Sequence, residues 1–271
     1  MELNKIYCED CLDTMKRMED GFIDLTVTSP PYDNLRTYND NIDETWGEDV
    51  WKPIVKELYR VTKEGGVVVW VVGDATINGS ESGVSFQQAL WAKEVGFNLH
   101  DTMIYEKKNI SFPDSVRYYA CFEYMFVFSK GQPKAFNPIT KDNPLKGKDI
   151  GSLKRGKDGV LVKDSGYLNR KKYPEKSVLR NIWRYTTGTG SSIDKHAYNH
   201  PAIYPENLAR DHIYSWSNER DLVYDPFMGS GTTAKMAHLL KRNWIGSELS
   251  QEYVDLAYKR LEPYLTQTTL F

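Results

Sequence analysis

The chain has 271 residues, a formal net charge of −2 and 40% hydrophobic residues. That size suits one α/β domain, or one domain carrying a substantial insertion, with enough apolar residues for a sizeable core. The charge excludes a uniformly basic nucleic-acid binder, and no apolar run of about 18 residues exists for a transmembrane helix.

In chain order, Met1-Glu2-Leu3-Asn4-Lys5 lacks the apolar stretch of a signal peptide. Cys8 and Cys11 form a C-x-x-C, but no second pair or nearby histidine completes a zinc site, so no metal is expected. They read as two small apolar side chains on a turn or helix start, in a reducing, cytoplasmic location. Phe22–Thr28 is a β-branched run after a Gly21 turn, ended by Pro30-Pro31. Trp51–Val61 has helical spacing, with Ile54, Leu58 and Val61 on one face. Val67–Val72, after Gly65-Gly66, is a continuous apolar run typical of a strand covered on both faces. A helix from Ser85 as cap to Val95 is closed by Gly96, and strands follow at Thr102–Glu106 and Tyr124–Ser129.

From about 131 to 195 the chain is rich in Lys, Arg, Gly, Asp and Pro, with little periodicity. Periodicity returns as helix Asn207–Ser217, strand Leu222–Asp225, helix Thr232–Leu240, strand Trp244–Glu248 and helix Gln251–Leu265. Alternating strands and helices predict an α/β fold, with a mostly parallel sheet and helices on both faces. The expected organisation is one domain over 1–130 and 196–271, with 131–195 inserted into it.

Two loops carry the chemistry. Asp225-Pro226-Phe227-Met228-Gly229-Ser230-Gly231-Thr232-Thr233 joins a predicted strand to a predicted helix, and its glycines let the backbone approach a ligand. The next strand ends in Glu248, about the spacing at which an acid meets a ribose in dinucleotide folds. Asp225 would repel a pyrophosphate, and no G-K-[ST] follows. An acid there suits a ligand with a positive amino group, such as S-adenosylmethionine. Asp225 is expected at its amino group and Glu248 at its ribose hydroxyls.

The second loop is Thr28-Ser29-Pro30-Pro31-Tyr32. Its prolines fix φ and remove donors, so Ser29 Oγ and the Pro30 carbonyl can serve as rigid acceptors for an amino group with two hydrogens. Tyr32 offers a flat face on which a ring can stack. The plain alternatives are a tight strand–helix turn for the first loop and a proline turn for the second.

These motifs resemble those of the amino-group DNA methyltransferases of bacterial restriction–modification systems and their phage relatives. The resemblance covers most of the chain except the middle. The catalytic motif precedes the cofactor loop, which is similar to the β order of that family. It implies the Rossmann-like methyltransferase fold, circularly permuted. Thr28–Tyr32 resembles the [DNS]-P-P-[YF] motif, which makes Ser29, Pro30, Pro31 and Tyr32 the catalytic set. The stretch with Asp225, Pro226, Phe227, Gly229, Gly231 and Thr232 resembles the F-x-G-x-G cofactor loop. Glu248 resembles the ribose-binding acid. His200-Pro201-Ala202-Ile203-Tyr204-Pro205-Glu206-Asn207-Leu208 resembles the segment packing round the methionine end, so His200 and Pro205 join the cofactor set. Asp10, in a shorter match, resembles the acid near the adenine.

The implied reaction is methylation of an exocyclic amine in double-stranded DNA after base flipping. Serine in the first motif position is typical of N4-cytosine members and aspartate of N6-adenine members, so Ser29 favours cytosine, with adenine as the alternative. Methylation of protein amides or RNA, and a non-catalytic DNA-binding relative, are further readings. Protein amide methylases have Asn where Ser29 stands, which argues against them. The middle segment matches the target-recognition region by position, and Arg155, Arg170, Lys171 and Lys172 are its expected phosphate contacts. A solvated basic loop is the plain reading of the same residues. The resemblance allows a separate cognate restriction endonuclease, and a monomer or homodimer, with no membrane partner.

Overall fold

The computed structural model describes residues 1–31, 46–108, 116–148, 150, 153–156, 158–163, 172–186 and 205–265. The chain divides into two compact units, Met1–Asn137 with Asn181–Phe271, and Pro138–Arg180.

In the first unit, β1 (Lys5–Cys8) leads into α1 (Cys11–Lys16), then β2 (Ile23–Thr28), α2 (Glu48–Val61) and β3 (Thr62–Val72). A small hairpin, β4 (Thr76–Ile77) and β5 (Ser80–Glu81), precedes α3 (Val84–Val95), β6 (Asn98–Lys107) and β7 (Phe122–Ser129). The second unit carries β8 (Thr140–Asp142), β9 (Leu153–Arg155), β10 (Leu161–Lys163) and β11 (Lys176–Val178). The first unit resumes with β12 (Ile182–Tyr185), α4 (Glu206–Trp216), β13 (Leu222–Asp225), α5 (Thr232–Leu239), β14 (Asn243–Glu248) and α6 (Gln251–Leu265).

One eight-stranded sheet organises the first unit, in the order β1-β14-β13-β2-β3-β7-β6-β12. Only β7 runs against its neighbours; the other adjacent pairs are parallel. Residues 67–72 of β3 are all buried, as an apolar run covered on both faces requires. Val68, Trp70 and Val72 join Phe126 and Phe128 in a core with Met15 of α1, Leu58 of α2 and Ala92 of α3. Helices α4, α5 and α6 pack against one another, with α4 on β2, α5 on β13 and β14, and α6 on β1 and β14. From β13 the chain proceeds through α5 to β14 on one side; from β2 it proceeds through α2 to β3 on the other. The carboxyl ends of β13 and β2 therefore flank a topological switch point, where open α/β sheets place their ligands.

Three elements differ from the sequence reading. The opening segment adds a strand, β1, that the sequence reading did not name; Cys11 begins α1, in keeping with the helix-start reading, and Asp10 caps that helix, its Oδ1 accepting from Leu12 N at 2.6 Å. Cys8 is exposed and Cys11 buried, both as free thiols. The cap of α3 is Gly83, in the left-handed region; Ser85 lies inside the helix, and its N–H and hydroxyl donate to Asp74. Ile182–Tyr185, read as part of an aperiodic stretch, adds an edge strand parallel to β6.

Among its described residues the second unit has two antiparallel pairs, β8 with β11 and β9 with β10. Its boundaries fall inside the 131–195 span at both ends. At the first, Lys134 N donates to Gly65 O, and Asn137 Nδ2 to Ser217 O, both within the sheet unit. At the second, β12 belongs to the main sheet.

Candidate active site

Ser29, Pro30, Pro31, Asp225, Glu248 and Asp10 lie along the carboxyl edge of four adjacent strands, β1, β14, β13 and β2. Ser29, Pro30 and Pro31 follow the end of β2, with Pro30 buried and the other two half-buried. Asp225 ends β13, Glu248 ends β14, and Asp10 lies two residues beyond β1, whose Cys8 is in register with Glu248. Pro205 caps α4 and is buried. Tyr32 and His200 lie outside the described residues.

The Asp225–Thr233 loop folds as its sequence dictates. Gly229 and Gly231 both have positive φ, +50° and +81°, where other residues are strained. At Gly231 a Cβ would also stand 2.8 Å from Ala257 Cβ, so glycine is required there twice over. Pro226 is buried. The Phe227 ring meets Trp46 edge-on at 5.3 Å and Trp70 at 6.2 Å. Thr232 opens α5 and is buried. Glu248 ties this loop to the neighbouring strand: Oε2 accepts from Gly229 N at 2.7 Å and Oε1 from Ser250 N at 3.0 Å.

Asp225 is buried and accepts three hydrogen bonds. Thr28 Oγ1 donates to Oδ1 at 2.6 Å, Phe227 N to Oδ1 at 3.0 Å, and Thr233 Oγ1 to Oδ2 at 2.6 Å. Burial pushes its carboxyl up to about 6, against the pull of those donors. Burial also raises the Glu248 carboxyl, and the Asp225 charge adds to the rise. Two acids whose ionisation is disfavoured, beside a glycine loop, form a setting that a cation relieves. This donor set fits S-adenosylmethionine, which carries an ammonium and a sulfonium as well as ribose hydroxyls.

Beneath the loop lies a charged cluster that sequence reasoning missed. Glu206 Oε1 accepts from Lys235 Nζ and from Arg260 Nη2, each at 2.8 Å. Arg260 Nη1 also reaches Ser230 Oγ at 2.8 Å and Thr232 Oγ1 at 3.3 Å. All three charged residues are buried, so the start of α4, the loop, α5 and α6 are pinned together. The available signal was a charge on an apolar stripe: Arg260 shares the buried face of α6 with Tyr253, Ala257 and Leu261.

The expected DNA contacts are only partly visible. Lys172 is exposed in the second unit. Arg155 sits on β9, paired with Leu161. Arg170 and Lys171 lie outside the described residues. Two other lysines of that unit are already paired, Lys176 with Asp142 at 2.6 Å and Lys146 with Glu175. In the first unit Lys107 pairs with Glu123 at 2.6 Å.

Among the described residues no group of three His, Cys, Asp or Glu side chains could hold a metal ion. No helix among them is long and apolar enough to cross a membrane.

Comparison with known proteins places the chain in a family. The family model for DNA methylases of the N6/N4 type matches residues 23–259. The orphan methyltransferase M.BamHII of Bacillus amyloliquefaciens is 57% identical over 253 residues, covering 91% of each chain. Among solved structures, PvuII DNA methyltransferase, named as cytosine-N4-specific, aligns over 98% of this chain and 87% of its own, with a TM-score of 0.68 and 20% identity. A DNA modification methylase of Thermus thermophilus, solved with S-adenosyl-L-methionine, aligns over 97% of this chain and 96% of its own, with a TM-score of 0.63 and 21% identity. With the matched span running from β2 through the cofactor loop into α6, the chain belongs to the N6/N4 DNA methylase family and is an S-adenosylmethionine-dependent amino-methyltransferase of DNA.

Proposed function

We propose that this chain methylates the N4 amino group of cytosine within a specific site in double-stranded DNA. The observation that carries the choice of base is Ser29, set directly after β2 and beside the rigid Pro30-Pro31 pair. The His200–Leu208 segment, similar to that of N4-cytosine members, supports the same choice.

On this reading S-adenosylmethionine supplies an activated methyl group, and the protein's task is to make a poor nucleophile competent. The lone pair of a base amine is delocalised into its ring. Ser29 Oγ and the Pro30 carbonyl accept from the two amino hydrogens and favour a pyramidal nitrogen with its lone pair exposed. Pro31 stiffens the loop, and Tyr32 stacks on the flipped base. Asp225 and Glu248 hold the cofactor through its ammonium and ribose, with Asp10 toward the adenine and His200 and Pro205 toward the methionine end. The span 131–195 recognises the target, with Arg155, Arg170, Lys171 and Lys172 on phosphates. A cognate restriction endonuclease, where one exists, is a separate chain, and the enzyme works in the cytoplasm.

The test is mass spectrometry of nucleosides digested from DNA of a host expressing the chain. N4-methylcytosine is expected. N6-methyladenine would overturn the choice of base, and 5-methylcytosine would overturn the mechanism as well.

A further inference from the structure

The motif residue just before Ser29 has a role that the reactive positions do not supply. Thr28 closes β2 and Asp225 closes β13, two parallel strands lying side by side. Thr28 Oγ1 donates to Asp225 Oδ1 at 2.6 Å. Thr233 Oγ1, in the first turn of α5, lies 2.6 Å from Asp225 Oδ2 and 3.2 Å from the Val27 carbonyl oxygen. A closed ring of contacts therefore joins the last two residues of β2, the first residue of the cofactor loop, and the helix that the loop opens. All three side chains are buried. Water does not compete for these bonds, and their geometry is fixed by two strand ends and a helix start.

Such a ring has a specific consequence for a two-part site. In-line methyl transfer needs the amine and the methyl donor at a near-attack distance, and a misplacement of about 1 Å can cost roughly 100-fold in rate. The amine is held by the loop after β2, and the donor by the loop after β13. Nothing in either loop alone sets the gap between them.

We propose that Asp225 acts as a brace between the two loops, with Thr28 and Thr233 as positioning residues that set the catalytic loop against the cofactor loop. This rests on the reading of Ser29–Tyr32 as the catalytic loop. Asp225 remains able to meet the cofactor, since a carboxylate offers about four acceptor sites and three are taken by the protein. Thr28 touches neither substrate nor cofactor in this role.

The test replaces Thr28 with Val, which keeps the branched shape and removes the hydroxyl, and with Ser, which keeps the hydroxyl. Single-turnover methyl transfer, cofactor Kd by calorimetry and the folded fraction are measured for each. Thr28→Val should transfer about 10- to 100-fold more slowly per folded molecule, with cofactor Kd within about threefold of wild type. Thr28→Ser should recover the rate to within about threefold. Thr28→Ala is a second variant should Val fit poorly. A Thr28→Val rate equal to wild type, or a loss explained wholly by the unfolded fraction, overturns the brace. Ser29→Ala run in parallel separates the two claims. If it transfers at the wild-type rate, the catalytic reading of the loop fails. If it is slow while Thr28→Val is not, only the brace fails.

Discussion

Replacing Glu206 with Gln tests the buried cluster beneath the cofactor loop. The amide keeps the size of the side chain and an oxygen acceptor, but it removes the carboxylate charge that both Lys235 and Arg260 reach. Those cations have side chains only 3% and 0% exposed, so water cannot take over the lost charge. Removing one partner of a buried ion pair costs about 3–5 kcal/mol. At roughly 2–4 °C per kcal/mol for a domain approaching this size, the melting temperature should fall on the order of 10 °C. Cofactor affinity should fall too, because Arg260 is the group that holds Ser230 and Thr232 in place. Adding Lys235→Met removes the surplus cation and should recover part of the loss, as residues in one network couple by about 0.5–3 kcal/mol. Scanning calorimetry of the single and double variants, with titration of cofactor, gives all three values. A Glu206→Gln protein that melts with wild type refutes the reasoning, as does a double variant whose losses simply add.

Two further outcomes follow from the site. Since the Asp225 carboxyl is raised to about 6, the folded protein binds a proton there that the unfolded chain has already released. The contribution of Asp225 to the stability of the cofactor-free protein should decline as pH rises from about 4 to about 6 and then level off. Cofactor affinity should move the other way, weakening as pH falls through about 6, with proton release on binding; Glu248, also raised, adds in the same direction. Calorimetric affinity that stays flat across that value would sink the assignment of the acids to a cationic ligand. For DNA, Arg170, Lys171 and Lys172 replaced together by Ala should weaken binding and flatten its salt dependence by about 0.9 log–log units per lost phosphate contact. An unchanged slope in fluorescence anisotropy would return that segment to a solvated loop.

The parts of this protein that were legible in its sequence are those with local signals. Val67–Val72 announces a covered strand by its unbroken apolar run, and Asp225–Thr233 announces a tight loop by glycines between a strand and a helix. The positive φ of Gly229 and Gly231 is the physical reason that pattern exists. The parts that stayed hidden depend on distance in sequence. Thr28 and Asp225 are bonded although far apart in the chain, and no spacing rule joins them. Glu206 meets Lys235 and Arg260 only because α4, α5 and α6 share one face of the sheet. β12 escaped notice because four residues with two exposed to solvent carry too little periodicity.

The edge pairing of β1 with β14 bears on how the molecule assembles during synthesis. Lys5 pairs with Ile245, a separation of 245 − 5 = 240 residues, and Ile6 N donates to the Tyr258 hydroxyl on α6 at 3.0 Å. β1 must therefore wait for β14, far later in the chain, to be made before it can pair. Until then β2, β3, β6 and β7 can pair among themselves with α1–α3, while β2 presents a bare edge where β13 will dock. Pairings this distant close slowly, and an unpaired central edge invites association with other chains. The half of the sheet that completes later is also the half with the Asp225–Thr233 loop. A nascent chain lacking β13 and β14 would thus have the Ser29–Pro31 segment without the Asp225–Thr233 loop beside it.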